Sequence, residues 1–183
     1  MASERSPYAP PEAAVHTPGA ARDAYFTVGS LKLVLMSLTT LGLYELYWFY
    51  RNWRVIRNQD QSDIMPFWRA FFAPFWTFSM GYEFVEQAKT QGTAITLPVA
   101  PLGILYLIWN ILWRLPDPYW LVSLLSPFLL LPFEHAARRI DGRGTLARPT
   151  YGRFSVWNIA WIVVGSLFLV LVLIGTFLPD DAA

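Results

Sequence analysis

The sequence contains no cysteine, and charged residues are scarce in it. Without cysteine the chain can form no disulfide, no thiolate metal site and no cysteine nucleophile. Only 15% of the residues are charged and 55% are hydrophobic, whereas soluble domains are about 25% charged. The formal net charge of +1 argues against a nucleic-acid-binding protein that depends on bulk positive charge. Because the apolar residues occur in long blocks, the composition indicates a membrane protein.

Residues 1–24 are rich in alanine and proline and show no apolar periodicity. Such a segment buries too little apolar surface to offset the entropy lost on ordering, so we predict a disordered tail. It also lacks the apolar core of a secretory signal, and the first hydrophobic block is expected to remain as an anchor. Residues 179–183 form a short acidic tail.

Five apolar blocks lie between residues 25 and 178, which we predict to form a single transmembrane helical domain. A helix needs about 20 apolar residues to cross a bilayer. The blocks do not alternate apolar with polar residues, unlike the strands of an outer-membrane barrel. The predicted helices cover residues 31–50, 67–85, 95–113, 119–137 and 155–178. The fold class is therefore all-α, an integral membrane bundle of five hydrophobic helices in which four cross and the second either crosses or lies in the interface.

A short segment between the last two blocks carries most of the orientation signal. It contains five arginines, and the positive-inside rule places such a segment in the cytoplasm. The C-terminus is then periplasmic. The same arginines either only fix the orientation or also bind anionic lipid headgroups. They are Arg138, Arg139, Arg143, Arg148 and Arg153.

The second block, 67–85, leaves two topologies open. If it crosses the bilayer, the N-terminus is cytoplasmic; if it lies in the interface, the N-terminus is outside. The distribution of basic residues slightly favours the interfacial alternative. Packing favours crossing, because Ala73, Thr77 and Gly81 recur every four residues and give one helix face the small side chains that allow close helix packing.

Glu45 is the most informative polar residue, because a carboxylate in a membrane segment costs about 2.5–3.5 kcal/mol on insertion scales. It is either a proton- or cation-linked site facing the bundle interior or a structural carboxylate near the interface. Asn110 and Asn158 are expected to join helices by hydrogen bonds. Depending on the topology, Glu45 is expected to pair with Arg114 or to lie near Asn158. These four residues form the candidate intramembrane polar site.

Catalytic and metal-binding patterns are not found. His16 and His135 are isolated, which does not make a zinc or iron site. Ser123 and Ser126 show no base partner in the sequence. We therefore expect no catalytic residue, no metal and no cofactor.

Three strings in the chain resemble a group of small, uncharacterised multi-pass inner-membrane proteins of bacteria. They are SLTTLGLYELYWFYRNW at 37–53, PFWRAFF at 66–72 and WRLPDPYW at 113–120. The resemblance covers residues 25–178 and implies a bacterial inner-membrane location. It implies no activity and no catalytic residue.

We therefore expect a non-enzymatic, aromatic-rich multi-pass membrane protein that serves as a scaffold or accessory subunit. A transporter or channel for a small solute or ion that uses Glu45 is the first alternative, and a lipid-modifying membrane enzyme is the second. The expected partner is the lipid bilayer, with another membrane protein left open and no nucleic acid. The sequence does not indicate an oligomeric state.

Overall fold

The computed structural model describes residues 23–177, and this part of the chain is helical. No β-strand occurs among these residues, so the predicted all-α class is confirmed. The predicted disordered tail lies outside the described residues except for its last two, and the acidic tail lies outside them entirely. The helices are α1 (Ser30–Thr39), α2 (Leu43–Asp60), α3 (Pro66–Phe71), α4 (Ala73–Thr90), α5 (Val99–Ile111), α6 (Ser126–Asp141) and α7 (Val156–Phe177).

Two helical stretches are long and apolar enough to cross a bilayer. They are Tyr119–Asp141, with a mean hydropathy of 1.3, and Val156–Phe177, with a mean hydropathy of 2.6. The apolar stretches Ser30–Thr39 and Val99–Arg114 are shorter than a full span. The structure thus differs from the predicted bundle of five hydrophobic helices, since seven α-helices occur in the described part and two of its helical stretches are candidate spans.

The first predicted helix, 31–50, is divided by a tight turn between α1 and α2. Leu41 and Gly42 both have positive φ, at 49° and 88°, in the left-handed region where glycine carries no Cβ penalty. The Gly42 N–H donates to the carbonyl of Ser37, which closes the end of α1 as glycine commonly does at a helix C-terminus. The prediction of one continuous helix here is wrong, because Gly42 ends it.

The second predicted helix, 67–85, is also divided, into α3 and α4. Pro74 has no N–H to donate and its ring clashes with the carbonyl four residues earlier, so a helix running through it is broken. The chain ends α3 at Phe71 and starts α4 at Ala73, which puts Pro74 in the first turn, where a missing N–H costs nothing. The sequence-based prediction kept Pro74 inside the helix and is wrong on this point.

A helical hairpin joins the third and fourth apolar blocks. Helix α5 continues into one turn of 3₁₀-helix, Leu112–Arg114. After the tip at 115–118 a second 3₁₀ segment, Tyr119–Leu125, leads into α6. Pro127 lies in the first turn of α6.

Helix α2 is the centre of the packed core, although it carries three arginines. Its buried side chains recur at spacings of three and four residues, so they cover one helix face. The buried residues of this face are Glu45, Trp48, Phe49, Asn52, Trp53 and Ile56. They pack against Phe84 of α4, Tyr106 of α5, and Leu130 and Phe133 of α6.

One end of the bundle collects the chain segments that carry most of the positive charge. The side chains of Asn58 and Gln59, near the end of α2, both donate to Asp23. At the end of α4, Gln87 donates to Asp60. Asp141, at the end of α6, accepts from the Tyr25 N–H. We call this the arginine end, and the end with the 115–118 turn the hairpin end.

Candidate functional site

Glu45 lies inside the bundle and is only 3% exposed. It is in the first turn of α2. The Tyr106 hydroxyl of α5 donates to its Oε2 at 2.7 Å, and the Ser126 hydroxyl at the start of α6 donates to its Oε1 at 2.6 Å. The partners are thus two hydroxyls from other helices rather than Arg114, with which one predicted topology paired Glu45. The carboxylate joins α2, α5 and α6 at one level.

A cavity of about 360 Å³ opens onto Glu45 on the side of the hairpin end. Its volume is within the range of small-ligand pockets, about 300–1,000 Å³. Polar groups and aromatic rings both reach it: Glu45, Tyr106, Asn110, Ser123 and Ser126 together with Trp113 and Trp120. Leucines at the start of α2 and Ala73 and Pro74 of α4 complete the wall.

The structure brings together two of the four predicted polar-site residues. Asn110 lines the same cavity as Glu45, and its amide nitrogen donates to the Tyr106 carbonyl at 2.9 Å. Asn110 therefore bonds within its own helix, whereas the sequence-based prediction expected a bond between helices. Arg114 and Asn158 form no hydrogen bond or ion pair with Glu45 among the described residues.

Arg114 and Asn158 lie elsewhere. The Arg114 guanidinium is 5.7 Å from the centre of the Trp113 ring, at the hairpin end. Asn158 is in the first turn of α7, where its main-chain N–H donates to the Ser155 hydroxyl oxygen at 3.3 Å. It belongs to a half-buried stripe of α7 that also includes Ile162, Gly165 and Leu169.

A second buried polar cluster, which the sequence analysis did not identify as a site, fixes the segment before α1. Glu134 of α6 is fully buried. Its Oε1 accepts from the N–H groups of Val28 and Gly29 at 2.9 and 2.8 Å, and its Oε2 accepts from the Trp48 indole at 3.0 Å. All of these hydrogen bonds are made to groups of the protein itself, so Glu134 has a structural role.

Asn52 of α2 holds the same segment from another side. Its Oδ1 accepts from the Phe26 N–H at 3.0 Å, and its Nδ2 donates to the Phe26 carbonyl at 3.2 Å. The side-chain amide thus bonds both main-chain groups of one residue, as a neighbouring strand would do. In the sequence, Glu45 and Asn52 are seven residues apart on an otherwise apolar face of α2. This spacing was the pattern from which both buried polar residues could have been predicted.

The five predicted arginines of the 138–153 segment all lie at the arginine end. Arg138 is half-buried, and its Nε donates to the Ala147 carbonyl at 2.8 Å, which folds the segment back onto α6. The other four, Arg139, Arg143, Arg148 and Arg153, are exposed. Lys32 of α1 donates to the carbonyls of Tyr151 and Arg153, which ties the segment to α1.

The predicted small-residue face of α4 is buried. Ala73 and Thr77 are fully buried, and Thr77 bonds back to the Ala73 carbonyl. A Cβ added at Gly81 would lie 2.7 Å from Val99 of α5 and 2.9 Å from Phe133 of α6. The face lies where α4 packs between these two helices.

No cluster of three or more histidine, aspartate or glutamate side chains that could hold a metal ion occurs between residues 23 and 177. The polar groups around Glu45 can donate and accept hydrogen bonds and can offer one negative charge to a ligand. Ser126, for which the sequence showed no base partner, donates its hydroxyl proton to the Glu45 carboxylate in this group.

Comparison of the chain with protein-family models, with curated proteins and with solved structures finds no match in any of the three.

Proposed function

We propose that the protein is a non-enzymatic multi-pass protein of the bacterial inner membrane that serves as a scaffold or accessory subunit of a membrane complex. The observation that carries this proposal is the surface of α7. This 22-residue helix contains no charged residue and no proline, and none of its residues is buried. A helix with that much uncovered apolar surface requires lipid or another membrane helix around it.

The charge distribution supports an orientation with the arginine end in the cytoplasm. Among the described residues, Arg114 is at the hairpin end and Arg69 lies on α3 between the rings of Trp53 and Trp76. The remaining basic residues are on the segments that meet at the arginine end, as the positive-inside rule requires of a cytoplasmic face. They are Lys32, Arg51, Arg54, Arg57, Lys89, Arg138, Arg139, Arg143, Arg148 and Arg153.

The packing of α7 against α1 indicates how deep in the bilayer the turn between α1 and α2 lies. Gly165 approaches the Thr39 main chain so closely that a Cβ would collide with the Thr39 carbonyl. Gly165 is near the middle of α7, about 14 Å along the axis from one end and about 18 Å from the other. Since Thr39 ends α1, we place the α1–α2 turn near the middle of the bilayer.

Helices α1 and α2 then enter the membrane from the cytoplasm and return to it. Phe26, before α1, is bonded to Asn52 of α2, and Asp23 is bonded to Asn58 and Gln59. Both ends of the pair are therefore at the arginine end. This topology differs from both alternatives drawn from the sequence, because each of them placed the two ends of the first block on opposite sides.

Helices α3 and α4 form a second such pair. Gln87, near the end of α4, donates a hydrogen bond to Asp60, at the end of α2. The C-terminal end of α4 therefore also lies at the arginine end. The turn of the pair is next to the cavity, which Ala73 and Pro74 line together with Glu45. In this arrangement the Tyr119–Asp141 arm of the α5–α6 hairpin and α7 are the described segments long enough to reach across the membrane.

A turn at mid-membrane is feasible because its polar groups are bonded within the protein. Irregular backbone at this depth is tolerated only where the chain itself satisfies it. The Thr39 and Thr40 hydroxyls donate to the carbonyls of Leu35 and Met36. The Thr40 hydroxyl oxygen also accepts from the Tyr44 N–H at the start of α2.

The accessory role is tested by purifying a tagged chain from native membranes in mild detergent. We expect one membrane protein to co-purify in a fixed ratio. We further expect the double substitution Trp161→Ala and Phe168→Ala, on the exposed face of α7, to remove it. The matched control is Ile104→Ala with Ile108→Ala, which truncates two similarly exposed side chains on α5.

Two results would contradict the role. One is a wild-type chain that purifies with lipid and detergent alone. The other is equal loss of the partner from both double variants, because this would show that α7 carries no specific contact.

A further inference from the structure

The cavity beside Glu45 combines a buried carboxylate with aromatic walls. Glu45, Tyr106 and Ser126 form its floor, and all three are buried. Leu41, Leu43 and Trp113 are exposed at its rim. The carboxylate is therefore at the bottom of an open pocket and within reach of a molecule that enters it.

Glu45 has no cationic partner within the described part of the chain. The single ion pair there joins Lys89 and Glu86 on the surface of α4. The two bonds to Glu45 come from hydroxyl groups at 2.6 and 2.7 Å. Burying a negative charge without a positive partner is costly, so a cation bound in the cavity would stabilise the ionised carboxylate.

From this pocket we infer a binding site for a small organic cation, an alkylammonium group whose nitrogen lies against Glu45. A carboxylate accepts about four hydrogen bonds, and two are in use, so the N–H groups of a primary ammonium find free acceptors on both oxygens. Asn110 also lines the cavity, and its amide nitrogen is already bonded to the Tyr106 carbonyl.

The lining distinguishes an organic cation from a metal ion. Magnesium and calcium require several oxygen ligands, mostly carboxylates and carbonyls, and Glu45 is the one carboxylate on this cavity. The indoles of Trp113 and Trp120 line the cavity instead, and indole rings attract organic cations. The leucine rim contacts an alkyl chain in the same way.

This inference goes beyond the accessory role and stands apart from it, because no residue of α7 lines the cavity. A failure of α7 to bind a partner leaves the pocket unaffected, and an empty pocket leaves the role of α7 unaffected. The two proposals are therefore tested by separate experiments.

The test is calorimetric titration of the full-length chain in detergent with ethylammonium chloride, and with potassium chloride at matched ionic strength. We expect saturable binding of ethylammonium and none of potassium in the same range. In Glu45→Gln we expect binding to weaken at least about 30-fold, since a buried charge partner is lost. The control Glu86→Gln, which removes an exposed carboxylate from α4, is expected to bind as the wild type does.

A second variant covers the case in which Glu45→Gln does not fold. Ser123→Phe fills the cavity from the 3₁₀ segment and leaves both hydrogen bonds of Glu45 in place, so we expect it to fold and to lose ethylammonium binding. Three results would overturn the inference: a folded wild type without saturable binding, potassium bound as tightly as ethylammonium, or a folded Ser123→Phe or Glu45→Gln with wild-type affinity.

Discussion

Polar side chains take the place of a neighbouring strand for the extended segment Tyr25–Gly29. This segment is buried among helices, where its main-chain groups have no ladder to join and every unbonded group is costly. Asn52, Glu134 and Asp141 bond four of its five N–H groups, and the Thr27 N–H bonds to the Tyr25 carbonyl. Burying these side chains therefore keeps the chain before α1 in position.

Glu134→Ala is expected to lower the free energy of unfolding by about 3 kcal/mol or more. The substitution leaves the N–H groups of Val28 and Gly29 and the Trp48 indole buried without an acceptor, at about 1–3 kcal/mol for each group. The measurement is the midpoint of thermal unfolding in detergent. Glu86→Ala, at an exposed surface pair, is the control and is expected to leave the midpoint unchanged. Equal midpoints for both variants would show that Glu134 does not hold the segment.

At the scale of single residues, the sequence identified Glu45 but not its partners. A lone carboxylate in an apolar block stands out in composition, because it is costly there. Its partners Tyr106 and Ser126 are 61 and 81 residues away, and both are residue types that occur throughout the chain. Only the packing of α2 against α5 and α6 selects them, so no local pattern could have predicted the cavity.

At the scale of secondary-structure elements, the breaks between helices matter more than the helices themselves. Most residues of the apolar blocks are helical, but residues 95–98 precede α5 and Tyr119–Leu125 forms a 3₁₀-helix. A continuous apolar run in lipid satisfies its own backbone only as a helix. Gly42 and Pro74 divide two of these blocks, and both signals are present in the sequence. The prediction gave hydropathy more weight than Gly42 and Pro74, because a helix that crosses a membrane can also contain glycine and proline.

Gly42→Ala is expected to destabilise the protein by about 1–2 kcal/mol, because an alanine at φ 88° is strained. Nothing lies within 4 Å of a Cβ at this position, so the effect isolates backbone strain from steric collision. Gly175→Ala is the control: its Cβ also meets nothing, and inside a helix alanine is expected to be neutral or slightly stabilising. The midpoint of unfolding measures both, and a neutral Gly42→Ala would show that the turn does not need a left-handed residue.

Gly165→Leu is expected to separate α7 from α1, because its side chain would enter the Thr39 main chain. Overpacking of this kind costs about 1–3 kcal/mol. Gly175→Leu places the same side chain on the same helix in open space and is expected to unfold as the wild type does. If the two variants unfold at the same midpoint, α7 is not packed through Gly165 and the depth assigned to the α1–α2 turn loses its support.

At the scale of the whole molecule, the positive charge lies on one side and the full-length apolar helices extend from it. The sequence contains this charge pattern but does not specify the proposed topology, because two helical pairs that turn back at half depth would have the same hydropathy as two helices that cross. The distinction depends on contacts between residues far apart, such as that of Gln87 with Asp60. In the proposed topology, residues 23–29, Gln61 and the 138–153 segment lie together in the cytoplasm.

The most direct test of this topology is labelling of single cysteines with a membrane-impermeant maleimide on spheroplasts, which is direct because the chain contains no native cysteine. Gln61→Cys and Thr145→Cys are expected to react only after lysis, and Asp117→Cys, at the hairpin end, in intact spheroplasts. Labelling of Gln61→Cys without lysis would place α1 and α2 across the bilayer and contradict the account.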